Sequence, residues 1–244
     1  MARRNPAHRP RQVNLRALRV AAVQSELCQK AYSILVTTHE SASALLKAFE
    51  FARAERGRPR GMTTDEEQDL LRAMLVMTAA GLDAMVKELI RCALPSLVER
   101  YEAVRDGLEK FVARQIRGDS DTPEVVGGVK FLARLLTAPN QQVQVVEEYI
   151  RELTGASLQS PHELVKATTA LGVNPNDINL NPRDLKPIFD IRNQIIHELD
   201  VNLDGERRRR NIRGQTDMRR YSNGLLSVAQ NLIEAVDGKL ANAV

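Results

Sequence analysis

The chain has 244 residues, 43% of them hydrophobic and 27% charged; that suits one large domain or two small ones and supplies enough apolar side chains for a core. With no Trp, four Tyr and five Phe against much Ala, Leu, Glu, Arg and Gln, the composition favours helices over a sheet sandwich, and no apolar run is long enough to span a bilayer. Lys and Arg number 35 against 31 Asp and Glu, a formal excess of +4, and the two Cys are too few for a disulfide framework or a four-ligand zinc site.

The first ten residues carry Arg3, Arg4 and Arg9 between Pro6 and Pro10 and read as a disordered basic arm. Arg16, Arg19 and Gln24 interrupt any apolar segment of a secretory signal, whereas an Arg-rich, acid-free start also suits a transit peptide. From Gln12 to Arg56 apolar residues recur at three- and four-residue steps, so residues 11–60 are expected to form an N-terminal helical region, with Ser41 or Ser43 as a second start inside it. The string from Arg56 to Gly61 is a turn or linker. Thr63 or Thr64 then caps a helix whose first turn holds Asp65, Glu66 and Glu67. Its broad stripe from Leu70 to Ile90 belongs at the centre of a bundle, and Pro95 is expected to end or kink it.

A further helix carries Leu97 to Ile116. A turn at 118–123 follows, then one or two helices over 124–153 divided at Pro139-Asn140. Ser160 and Pro161 suit the N-cap and first position of a helix through Leu171. The Asn- and Pro-rich stretch 172–182 reads as extended. One helix is expected from Pro182 or Asp184 to Leu199, then a basic loop, then a last helix over Asp217–Leu240. Cys28 and Cys92 fall within helical patterns and read as buried, reduced thiols of a cytoplasmic protein. Met74, Met77 and Met85 read as core.

The chemistry-bearing string is Ile188-Phe189-Asp190-Ile191-Arg192-Asn193-Gln194-Ile195-Ile196-His197-Glu198-Leu199-Asp200. Ile188, Ile191, Ile195 and Leu199 are spaced to bury one face. Asn193 and His197, four apart, share a side; Arg192 and His197 are about 140° apart around the helix. The residue types suit cleavage of RNA by its own 2′-hydroxyl. His titrates near neutrality and serves as base or acid, Arg matches phosphate oxygens as a fork, and Asn orients either. That reaction requires no metal and no cofactor. Arg207, Arg208, Arg209, Arg210 and Arg213 form a basic cluster, followed by Arg219 and Arg220, that reads either as a solvated loop or as a phosphate-binding rim.

Arg192-Asn193-Gln194-Ile195-Ile196-His197 resembles the R-x4-H signature of the HEPN superfamily, and with Glu198 and Asp200 it is similar to the RiboL-PSP branch. The upstream Gly81-Leu82-Asp83-Ala84-Met85 is similar to that branch's first core helix. The resemblance covers about residues 62–238. It implies an all-α, HEPN-like helical bundle over 61–244, to which 11–60 is added. It also implies a homodimer in which the R-x4-H helices of two copies face each other and form a composite, metal-independent ribonuclease site. Carried over, Arg192 stabilises the transition state, His197 is the base or acid, Asn193 orients, and Asp83 supports Arg192. Glu198 and Asp200 are further candidates to pair with Arg192. The basic rim from Arg207 to Arg213 would hold RNA. Members serve in toxin–antitoxin and antiphage systems, so a neutralising or activating protein is an implied partner. Leu199 stands where some members carry a Tyr modified by a nucleotidyltransferase antitoxin, and that partner is not implied.

Two other readings stand beside this one. The first is a non-catalytic HEPN module that binds RNA or protein. The second is a DNA-binding regulator that uses the basic arm, although no helix-turn-helix pattern stands out.

Overall fold

A computed structural model describes residues 14–19, 22–56, 61–117, 125–201 and 210–241. The expected basic arm at 1–10, the turn at 118–123 and residues 202–209 of the basic loop lie outside them. The described residues are all-α: α1 (Glu26–Glu55), α2 (Asp65–Arg100), α3 (Glu102–Arg117), α4 (Val125–Thr137), α5 (Gln141–Gly155), α6 (Pro161–Ala170), a 3-10 turn (Pro175–Ile178), α7 (Pro182–Glu198) and α8 (Gln215–Ala241). None of these helices is long and apolar enough to cross a membrane.

The helix starts follow local chemistry. Thr64 accepts from the Glu67 N–H through Oγ1 (3.3 Å), and Glu67 Oε2 accepts from the Thr64 N–H (3.1 Å), a reciprocal capping box for α2. Asn140 caps α5 and Ser160 caps α6, where Pro161 takes the first helical position. Thr64→Ala removes the hydroxyl acceptor and is expected to destabilise the fold by about 1 kcal/mol. The check is a lower urea midpoint with an unchanged slope.

The centre of the bundle is α2. It packs along α1 and α8, and its other faces meet α3, α5, α6 and α7. Leu71, Met74, Leu75, Met85, Leu89, Ile90, Leu94 and Leu97 of α2 are buried together with Leu35, Leu46 and Phe49 of α1 and Leu225, Leu232 and Ile233 of α8 in one core. Each such side chain contributes about 1.5–3 kcal/mol when fully buried. Gly81 lets α1 and α2 approach closely, because the Thr38 side chain occupies the space a Cβ would need.

Several expectations are corrected. The helix expected from Gln12 begins at Glu26. The described residues before it, 14–19 and 22–25, lie along α8, which takes backbone donors from them: Asn223 Oδ1 accepts from Arg16 N (2.9 Å) and Gln230 Oε1 from Arg19 N (2.6 Å). Asp237 then accepts from Gln24 N (2.9 Å) and Ser25 N (2.8 Å), and Ser25 is the N-cap. Leu15 is buried within this non-helical strap.

From Glu26 to Glu55 α1 is continuous, with no second start at Ser41 or Ser43. Pro95 does not end α2, which runs on to Arg100; the missing N–H costs one helical bond, and Ala93, Leu94, Leu97 and Val98 are buried around it. The helix ends instead at the extended Tyr101, whose hydroxyl donates to Lys239 O (2.6 Å) in α8. The Asn- and Pro-rich stretch contains a 3-10 turn, closed by Asn179 in the left-handed region (φ 54°). Met77 is 46% exposed and not core. Cys28 is buried and Cys92 half-buried, and both are free thiols; burial, with Asp237 nearby, pushes the Cys28 thiol up to about 12.

Candidate functional site

The helix α7 begins where Asn181 Oδ1 accepts from Arg183 N (3.0 Å) and Pro182 supplies the first turn. Its first half is held in the core by Leu185, Ile188 and Phe189. Its second half emerges. Ile191 and Ile195 are only partly buried, and Asn193, Gln194, Ile196, His197 and Glu198 are exposed. Leu199, expected on the buried face, is 69% exposed. The reason is backbone: Leu199 (φ 51°) and Asp200 (φ 60°) both take the left-handed conformation and turn the chain out of the helix. A left-handed Leu costs roughly 1–2 kcal/mol, so the rest of the structure must over-determine this turn.

What over-determines it is a buried ion network. Asp200 is fully buried; its Oδ2 accepts from Arg72 Nε of α2 (2.8 Å) and Arg213 Nε (3.0 Å), and its Oδ1 accepts from Asn211 Nδ2 (3.1 Å). Arg72 also reaches Asp69 (3.0 Å) and the Asn211 carbonyl (2.7 Å). Gln68 Oε1 accepts from Arg213 N (2.7 Å), and its Nε2 donates to Arg213 O (3.0 Å). Burial alone would raise the Asp200 carboxyl, but the hydrogen bonds from Arg213, Arg72 and Asn211 outweigh it and hold the group below the ordinary Asp range. The two sides of the basic loop are thereby stapled to α2, with a bridge between Val201 and Arg210.

This places the candidate residues. Asp200 pairs with Arg72 and Arg213, not with Arg192. Arg210 donates from Nε to the Leu199 carbonyl (3.2 Å) and from Nη1 to Asp69 (3.1 Å). Arg213 also donates to Gln194 Oε1 (2.8 Å). Both therefore brace the end of α7. Arg207, Arg208 and Arg209 lie outside the described residues. Glu198 is exposed.

Arg192 is half-buried and donates from Nη1 to Asn193 Oδ1 (2.9 Å), while its buried Nε has no hydrogen-bond partner among the described residues. Burial lowers its pKa, and the Asp83 carboxylate opposes that shift. Asp83 makes no ion pair with Arg192. It accepts from Leu158 N (2.6 Å) and Lys87 Nζ (3.0 Å), so it acts on Arg192 through its field. His197 has no hydrogen bond among the described residues.

At 100° per residue, Asn181, Leu185, Ile188 and Arg192 follow one flank of α7, and Lys186, Phe189, Asn193 and His197 follow the other. Each flank borders a cavity. The Asn193 flank borders a cleft of about 510 Å³ that also holds His162 and Ser160. The Arg192 flank continues a larger groove of about 630 Å³, in which Asn181, Leu185 and Ile188 face the strap and α8. One chain thus separates Arg192 from His197 rather than joining them.

Sequence reasoning missed Arg72 and Gln68. The available signal was a charge, Arg72, within the apolar stripe between Leu71 and Met74, since a buried Arg requires a partner. Among the described residues no group of three or more His, Cys, Asp or Glu is placed to hold a metal ion. In comparisons with family models, curated proteins and solved structures, nothing matches the chain.

Proposed function

We propose that the protein is an endoribonuclease of the HEPN type, acting as a homodimer through α7, with a role in toxin-like or antiphage defence. The observation that supports this reading is the emerging end of α7. It presents a half-buried, charged Arg192 on one flank and, on the other, an exposed His197 without a hydrogen bond among the described residues, beside the exposed apolar Ile196 and Leu199. A two-fold pairing of such helices would cover the apolar residues and bring the Arg192 flank of one copy to the His197 flank of its partner.

In that arrangement His197 takes the proton of the 2′-hydroxyl as its oxygen attacks the adjacent phosphorus. Arg192 offsets the charge gathering on the phosphoryl oxygens. The bond to the 5′-oxygen breaks, that oxygen takes a proton from solvent water, and His197 returns the proton it received to solvent. Asn193, already bound to Arg192, fixes the fork. The expected products are a 2′,3′-cyclic phosphate and a 5′-hydroxyl.

The test is cleavage of single-stranded and structured RNAs in excess EDTA, with the product ends identified by mass spectrometry. Cyclic-phosphate ends support the reading, and ends bearing a 5′-phosphate overturn it. One observation favours a non-catalytic module that binds RNA or protein: among the described residues no group orients His197. That reading predicts salt-sensitive RNA binding without any product.

A further inference from the structure

We infer that the groove between the N-terminal strap, α7 and α8 holds a single strand of RNA leading to Arg192. This rests on the ribonuclease reading and adds where its substrate lies. The groove has a volume of about 630 Å³ and is walled by Arg16 from the strap and by Arg219 and Arg220 from the first turns of α8. Arg219 is half-buried and has no ion pair among the described residues. A guanidinium with no ion pair there attracts an anion. Arg16 is exposed and likewise has no ion pair there. Arg220 is partly neutralised by Asp217 (2.9 Å).

The same walls carry side-chain amides. Asn223 receives the Arg16 backbone N–H on its oxygen, which leaves its NH₂ group to donate into the groove; Asn14 and Asn179 also line it. Guanidinium forks beside amide donors and acceptors match a phosphodiester backbone carrying base edges. One carboxylate, Asp184, borders the groove and is engaged by Asn181 Nδ2 (2.9 Å). Direction follows from α7: Ile188 forms part of the groove, and Arg192 stands one turn further along the same flank, about 6 Å along the axis. A strand laid against Arg219 and Arg16 therefore runs on to Arg192.

The test uses the full chain and a short fluorescein-labelled 2′-O-methyl oligoribonucleotide, which has no free 2′-hydroxyl and cannot be cut. Binding is read by anisotropy across a salt series, beside cleavage of the unmodified strand. The Arg16→Gln/Arg219→Gln double variant is expected to bind about tenfold more weakly, with a salt slope shallower by about 1.4, because two phosphate contacts are lost. Lys at both positions should recover much of the slope, and melting curves should match wild type. Unchanged affinity and slope would overturn the groove while leaving the ribonuclease reading intact. Competition by free uridine monophosphate as strong as that of the oligonucleotide would make the groove a nucleotide pocket and overturn the strand. Absence of wild-type binding at low salt would also overturn the groove, and the parallel cleavage assay decides separately whether the ribonuclease reading falls.

Discussion

His197→Ala and Arg192→Ala are each expected to lower RNA cleavage by about a hundredfold or more while melting near wild type. Loss of a general base costs roughly 10²–10⁴ in rate, and loss of a donor to developing charge costs roughly 10²–10³. The folding cost is small for His197, which is exposed and makes no hydrogen bond among the described residues. Arg192→Lys separates charge from geometry. A point cation cannot form the fork or hold Asn193 Oδ1 as the guanidinium does, so Lys should restore only a minor part of the rate. The checks are single-turnover cleavage and a thermal melt for each variant. Wild-type rates in His197→Ala would remove the chemistry from α7.

Asp200→Ala is expected to destabilise the protein by about 3 kcal/mol. Removing one partner of a buried ion pair costs about 3–5 kcal/mol, and Arg72 keeps part of its compensation through Asp69 and the Asn211 carbonyl. The sign of the pH effect follows from the depressed carboxyl of Asp200. Its contribution is fully present above the unfolded-state pKa of about 3.9 and is lost as pH falls through the lower folded value. Asp200→Asn keeps the shape and tolerates the left-handed backbone, so it should show a reduced stability at neutral pH that no longer falls with acid through this group. Urea melts from pH 7 down to pH 3 provide the check. Because Asp200 and Arg213 brace the end of α7, the Ala variant should also cleave RNA more slowly even where it remains folded.

What the sequence made legible was local. Thr64 with Glu67, Ser160 with Pro161, and Asn140 each satisfy their own helix start within three residues, so a short window contains the whole interaction. The strap was not legible. Leu15 and Leu18 keep helical spacing, but the groups that draw the backbone out of a helix, Asn223, Gln230 and Asp237, lie more than 200 residues further along the chain. The site divides in the same way. The placement of Asn193 and His197 on one flank of α7, with Arg192 on the other, follows from periodicity alone. That Asp200 serves Arg72 and not Arg192 depends on contacts 128 residues apart. Leu199 shows the limit of spacing: its register fits the buried face, but the turn imposed by the Asp200 network carries it outward.

The central claim is that the active site forms between two copies of α7, Arg192 from one and His197 from the other. Mixing the inactive Arg192→Ala and His197→Ala proteins under conditions that exchange subunits tests it most directly. A mixed dimer would hold one intact Arg192–His197 pair and one doubly damaged pair, so a statistical mixture should recover about a quarter of wild-type activity. A mixture as inactive as either variant alone, with mixed dimers demonstrated by native mass spectrometry, would contradict it.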